Sequence, residues 1–544
     1  MNFSIFDNIV FWGYIVSIVA LGLFVSREKK GHEKDSADYF LASKALPWWA
    51  VGASIIAANI SAEQVIGMSG SGFAIGLAIA SYEWMAAVTL IIVAKYFLPI
   101  FLEKGIYTMP QFLEIRYDKR VRTILAVFWL LVYIFVNLTS VLYLGSLALT
   151  EIMGVDVYTA VIGLAVFSAL YTIYGGLKAV AWTDVVQVII LVIGGLVTTY
   201  LAVTWIGEGS GFFAGLENMF NQLPDKFDMI LKEGQILIHQ NDGTVKDAFN
   251  DLPGLSVLVG GLWIANLFYW GCNQYITQRA LAAKSVKESQ RGLAFAGYLK
   301  LLMPLIVVVP GIAAYYIVHL HPELIPAGAV HVIEKNDHAY PWLLNTFVPA
   351  GLKGLAFAAL IAAIVSSLSS MVNSTATIWS MDIFKQIIKK DASERELVKT
   401  GRIMSGVALV VAILIAPQLS TLDQAFQYIQ EFTGFVSPGI LLIFMAGLFW
   451  KKSTADGALW AAGLSVVFSA FFYFFVPDLP FMDRMGLVFI LSGIVMFVVS
   501  MMKKQKADPK AIVINKQLFK TDNVFNIASA GIIIILIVLY AVFW

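Results

Sequence analysis

The chain has 544 residues, of which 59% are hydrophobic and only 13% charged. Soluble domains carry roughly 25% charged residues, so the composition excludes a soluble protein and points to a polytopic, all-α membrane protein whose first partner is the lipid bilayer. A net charge of +1 gives no ground for a nucleic-acid or acidic partner, and the single cysteine, Cys272, excludes an intrachain disulfide.

About fourteen apolar segments are long enough to span a bilayer. They run near 6–26, 47–70, 74–100, 122–150, 157–175, 181–207, 252–274, 292–320, 351–383, 398–417, 421–447, 455–477, 483–503 and 525–543. The first opens with Asp7, without a basic leader or a small-residue cleavage site, and is read as a retained span. Basic clusters follow every second span. Arg27, Lys29, Lys30 and Lys34 follow the first, and Lys104, Arg116, Lys119, Arg120 and Arg122 the third. Arg279, Lys284, Lys287 and Arg291 follow the seventh, and Lys385, Lys389, Lys390, Arg395, Lys399 and Arg402 the ninth. Lys503, Lys504 and Lys506 follow the thirteenth. The positive-inside rule then makes that side cytoplasmic and puts both termini outside a cell membrane.

Two long loops fall on the external side. Residues 208–251 are rich in Gly, Asp and Asn, and residues 319–350 hold His319, His321, His331 and His338. The histidine spacing fits no zinc pattern, so a solvated loop is expected. The sequons at Asn59 and Asn137 lie inside spans, where glycosylation is not expected. The chain has no Walker-A loop, HExxH or GxSxG, and no soluble domain to hydrolyse ATP, so an enzyme is not expected. Uphill movement of a solute would need an ion gradient. A sugar sensor with a transporter-like body is a further alternative, disfavoured because no signalling domain follows Trp544.

The second span, Pro47 to Gly72, is apolar yet carries Ser54, Asn59, Ser61, Glu63 and Gln64 among glycines. Such groups cost several kcal/mol each in hydrocarbon unless they face protein, ions or water. The span reads either as a polar seam or as the broken helix of a secondary transporter, with carbonyls freed near Ala57 to Ser61. The seventh span, GGLWIANLFYWGCNQYITQ, is also glycine-flanked and polar at its heart. Each opens a group of five spans in opposite orientation, the pattern of inverted repeats with a midplane site. The expected division is 1–46, a leading span and loop; 47–207, a first repeat; 208–251, an external loop; 252–450, a second repeat; and 451–544, three further spans.

Tyr82-Glu83-Trp84 puts a carboxylate inside the third span, where it needs a partner. Lys300 is the candidate, although its stem can also snorkel outward. Gln64, Glu83, Asn266, Lys300 and Gln430, from five spans, would form a cage of mixed donors and acceptors suited to vicinal hydroxyls of a sugar. Tyr82 adjoins it, and Tyr269 and Trp270 can cover an apolar sugar face. In the ninth span Ser366 and Ser367 share a helix face with Ala363. Such serines usually bond their own i−4 carbonyl or a neighbouring helix. Alternatively, with carbonyls of Ala57 and Ile60, they make a neutral five-oxygen shell for Na⁺. Asp184 is either an N-terminal helix charge or an aid to ion release.

PWWAVGASIIAANISAEQ, IGMSGSG, SYEWM, NLTSVLYLG, YGGLKAVAWTD, GGLWIANLFYWGCNQYITQR, AYPWL, IVSSL and AFQYIQE are dispersed over nearly the whole chain. Through them the sequence resembles the sodium/solute symporter family, and most closely its sodium/galactose branch. The resemblance implies a LeuT-like five-plus-five inverted repeat with flanking helices, and inward symport of Na⁺ with a neutral hexose. It places sugar contacts at Gln64, Glu83, Asn266, Lys300 and Gln430, with Tyr269 as inner gate. It places Na⁺ ligands at Ala57, Ile60, Ala363, Ser366 and Ser367, and ion release at Asp184. Galactose carriers have serine after YEWM where this chain has Ala86, which weakens the inference to galactose but not to a sugar. Same-fold carriers of proline, a nucleobase or a carboxylate are the alternatives, the last disfavoured by Glu83.

Overall fold

The computed structural model describes residues 4–27, 34–239, 243–329, 332–421, 425–503 and 506–544. Lys29, Lys30, His331 and Lys504, counted among the loop residues above, lie outside the described residues. Among the described residues, eleven helices are long and apolar enough to cross a bilayer, and two more spans are helix pairs bent at a short break. With the shorter Ser437–Phe449 helix, the number of apolar segments reaches fourteen. The loop after Ile206 carries the Phe212–Gln222 helix and a hairpin pairing Leu237–His239 with Val245–Asp247.

Local chemistry sets where the helices begin. Ser4, Asp118, Asp156, Ser285, Ser393 and Asp522 each accept a first-turn backbone N–H with their side chain. Gly176, at φ 64°, turns the chain between two spans with no room for a Cβ, which would meet Tyr39 O at 2.4 Å. The predicted 421–447 span is instead two helices, Ala425–Gly434 and Ser437–Phe449, the second started by Pro438.

Burial orders the helices from centre to rim. The best apolar window of Lys353–Ile388 is 94% buried, whereas those of Ile5–Val25 and Asn523–Val542 are 22% buried. The serine-bearing helix is therefore central, and the terminal helices present Val16, Phe24, Ile534 and Ile537 outward, where lipid replaces protein. The first broken span, Trp48–Asn59 and Glu63–Ala74, bends by 61° and crosses the Val286–Leu320 helix closely. A Cβ on Gly52 would lie 2.5 Å from Gly292 O, so only glycine permits that crossing. The second, Ala248–Val259 and Gly261–Cys272, bends by 77°, and a further break at Asn273 precedes Gln274–Leu281.

Three arginines counted as loop charges are buried instead. Arg116 donates to the carbonyls of Gly447, Trp450 and Ser453. Arg122 bridges Asp382 (2.7 Å), Glu114 and Met381 O. Arg279 is fully buried in the bundle. Buried carbonyls and carboxylates replace water around each guanidinium.

Candidate functional site

The first break releases backbone oxygens. Ile60 N–H still reaches Ile56 O at 2.8 Å. One residue on, the Ser61 N–H donates to Gln64 Oε1 at 3.0 Å, and the Ser61 hydroxyl donates to the same oxygen at 2.9 Å. Ser61 is thereby diverted from the Ala57 carbonyl it would meet in a continuous helix. The Lys353–Ile388 helix faces this opening. Ser367 Oγ donates to Ala58 O at 2.9 Å, with Ile60 O at 3.4 Å. Ala57 and Ala363 are both buried, and Ala363 lies one turn from Ser367 on the same face. One hydroxyl and a row of carbonyls without a carboxylate among them are a hard, neutral donor set.

Ser366 turns the other way, donating to Asp184 Oδ1 at 2.6 Å. Asp184 is not a charge at a helix start. It is the eighth residue of Leu177–Ile206 and fully buried. Ser54 Oγ donates to its Oδ2 at 2.5 Å, and Arg279 lies 3.4 Å from the same oxygen. Arg279 also donates to Ser54 O, Ser54 Oγ and Ser370 Oγ. One guanidinium thus joins both broken spans and the serine helix to the carboxylate beside the candidate ion ligands.

Across the break lies a cavity of about 50 Å³, where one water needs about 10–15 Å³. Gln64, Tyr82, Glu83, Asn266, Tyr269, Trp270, Lys300 and Gln430 all line it. Lys300 does not snorkel. It is 1% exposed, and its Nζ donates to Glu83 Oε2 at 2.5 Å, because the surrounding helices leave no path for its stem to water. The same ammonium sits 5.1 Å from the Trp270 ring centroid. Trp270 Nε1 donates to Asn266 Oδ1 at 3.1 Å. Tyr269 closes one side, its hydroxyl accepting from Asn59 Nδ2 at 2.9 Å and from Tyr275 at 2.6 Å. With the ion pair balanced, the cavity is net neutral and rich in both donors and acceptors.

Residues 39–464 match the profile of the sodium:solute symporter family. The chain belongs to that family. It is 55% identical to a sodium/glucose cotransporter of Vibrio parahaemolyticus, over 99% of this chain and 98% of the relative. It is 34% identical to a human sodium/myo-inositol cotransporter 2, over 82% of this chain and 66% of the relative. The solved substrate-bound, outward-open state of a Na⁺-coupled sialic acid symporter superposes with a TM-score of 0.78 at 24% identity, covering 92% of this chain and 98% of that one. The fold is therefore the LeuT-like inverted repeat, and the protein is a multi-pass membrane symporter, not an enzyme, with Na⁺ as its coupling ion.

In this symporter several cavity residues escaped the reading of the sequence. Asn59 stood in the polar run of the second span but was given no role. Thr433 lies i+3 from Gln430 and Ser437 a turn beyond, a spacing that offered a signal. Phe481 and Met485 come from the Phe481–Met501 helix and carry no polar mark. Ala58 is the carbonyl that Ser367 reaches, beside the predicted Ala57 and Ile60.

Proposed function

We propose that the symporter carries a neutral hexose inward with Na⁺, by alternating access between repeats 47–207 and 252–450, with 208–251 as the external loop joining them. The observation that supports this most is the cavity itself. Gln64, Glu83, Asn266, Lys300 and Gln430, from five spans, converge on one space that Tyr269 and Trp270 border. The Glu83–Lys300 pair cancels its own charge, so a carboxylate or ammonium substrate finds no uncompensated partner there. Hydroxyls, in contrast, meet amides, a carboxylate and an ammonium. The relatives named above carry glucose and myo-inositol, both neutral polyols. Ala86 lines the cavity where a galactose carrier has a serine, so one sugar hydroxyl loses a partner there, which weakens the inference to galactose but not to a sugar.

On this reading Ala57, Ile60, Ala363, Ser366 and Ser367 hold the ion, and Ser366 is shared between it and Asp184, which draws the ion away as it leaves. Both termini are external in the cell membrane, because the loop cations other than Arg116, Arg122 and Arg279 still follow every second span in the sequence. The test is uptake of labelled glucose by reconstituted vesicles. Accumulation is expected with an inward Na⁺ gradient, and equal uptake in K⁺ rejects the mechanism.

A further inference from the structure

Like Arg116 and Arg122, one buried lysine belongs to neither site. Lys226, in the Pro224–Phe227 turn of the external loop, is 7% exposed. Its Nζ donates to Phe73 O at 3.0 Å and to Ala74 O at 2.6 Å. These are the last carbonyls of Glu63–Ala74, the half of the first broken span that follows the break. A helix C-terminus lacks partners for such carbonyls and its dipole favours a cation there. The ammonium also lies 4.1 Å from the Tyr315 ring centroid. The contact continues in the backbone: a Cβ on Gly76, at φ 104°, would come within 2.4 Å of Lys226 O. Beside the lysine is a cavity of about 450 Å³, which gives water a route to it.

We propose that Lys226 is a clasp on the outer gate: it fastens the outer half of the first broken span to the external loop, and it must leave its pocket for water when the site opens outward. This rests on the orientation and transport reading above. Lys226 is a positioning residue. It touches neither Na⁺ nor sugar, and it acts through Glu63–Ala74, which carries Gln64.

The clasp has a definite response to external pH. Burial pushes the Lys226 amine down to about 7 while it is fastened, against the two carbonyls and the ring, which favour its charged form. In water a lysine titrates at about 10.4. The fastened state therefore binds fewer protons between those values. Raising pH through that window favours it, by up to about tenfold per unit, and below about 7 the dependence ends. The groups facing the amine are Tyr315 and His319 from the span ending at Leu320, Asp225 in its own turn and Glu334 across the cavity. Burial, and then the charge of Lys226, hold the His319 imidazole below its ordinary value, away from the interval from pH 7 to 9.

The experiment measures uptake of labelled glucose in right-side-out vesicles at fixed internal pH, with external pH stepped from 7 to 9. Only the open fraction binds from outside, so the apparent KM rises as that fraction falls. A rise of roughly fivefold or more, and at most about a hundredfold, is expected for the wild type. Lys226→Arg, always charged, and Lys226→Met, never charged, are both expected to give flat profiles. A flat wild-type profile overturns the clasp, and so does a slope that survives in Lys226→Arg. A second measurement needs no substrate: nitroxides at Glu233→Cys and Leu352→Cys in a Cys272→Ala background. Their distance distribution is expected to narrow from pH 7 to 9 in the wild type and to stay fixed in Lys226→Arg. Identical distributions at both pH values overturn the clasp. If no hexose is taken up with Na⁺, the transport reading fails, and the nitroxides still decide the clasp.

Discussion

Glu83 and Lys300 are 2.5 Å apart, with side chains 4% and 1% exposed, so neither can lose its partner without stranding a charge. Removing one member of such a pair costs about 3–5 kcal/mol, while replacing both is often near neutral. Lys300→Met is therefore expected to lower the unfolding temperature in detergent sharply and to abolish uptake. Glu83→Gln combined with Lys300→Met is expected to recover most of the thermal stability and none of the uptake. A double variant that takes up sugar at the wild-type rate removes the pair from the substrate site. At this scale legibility follows charge. A carboxylate and a lysine inside apolar runs are costly enough to be noticed, and both fall on the cavity. Gln64, Asn266 and Gln430 were legible as well, but Asn59, Thr433 and Ser437, which line the same cavity, were given no role because such residues are ordinary on membrane helices.

Both broken spans could be read from glycine and polar interruptions, because a helix that opens must spend those residues to do so. The geometry after the second break could not. Arg279 follows a span in sequence, so a count of loop cations placed it in the cytoplasm. The chain instead breaks at Asn273, and Gln274–Leu281 turns the arginine onto Ser54, Ser370 and Asp184. Charge counting does not distinguish a cation in water from one folded back against a buried carboxylate. The ninth helix supplies the element-scale prediction. Ser367 Oγ lies against the carbonyls of Ala58 and Ile60 at the first break, and on the proposed reading it turns to Na⁺ when the ion is present. Ser367→Ala deletes one oxygen ligand. The loss of a single such contact, about 0.5–1.5 kcal/mol, corresponds to a roughly two- to twelvefold rise in the Na⁺ needed for half-maximal uptake. Sugar affinity at saturating Na⁺ is expected to change little, and an unaltered Na⁺ curve removes Ser367 from the ion site.

For the molecule as a whole, the arrangement of hydroxyls and charges bears on how many ions move with each sugar. Ser369, Ser370 and Asp184 are the remaining candidate ligands for a second Na⁺, and each is held by other side chains, whereas Ser367 meets only backbone carbonyls. Ser369 Oγ pairs with Ser168 Oγ at 3.0 Å and with the Tyr171 hydroxyl at 2.8 Å. Ser370 donates to Ser366 O at 2.7 Å and accepts from Arg279. Asp184 has Arg279, Ser54 and Ser366 around it. A second cation bound there would displace the guanidinium or share the carboxylate with it, and either arrangement leaves a stranded or like-charge contact in a buried site that an ion passing on its way out meets only briefly. One coupled ion also suffices energetically. A charge falling through 100 mV yields about 2.3 kcal/mol, and a tenfold Na⁺ gradient adds about 1.4 kcal/mol. Together these hold a neutral solute concentrated roughly a few hundredfold. The prediction is a slope. In vesicles clamped at zero voltage, the logarithm of steady-state sugar accumulation against the logarithm of the Na⁺ ratio is expected to rise with slope one. A slope of two would mean that Arg279 yields its place at Asp184 to a second ion during the cycle, and Arg279→Lys, which keeps the charge but loses the planar fork, would then shift the slope where Ser367→Ala would not.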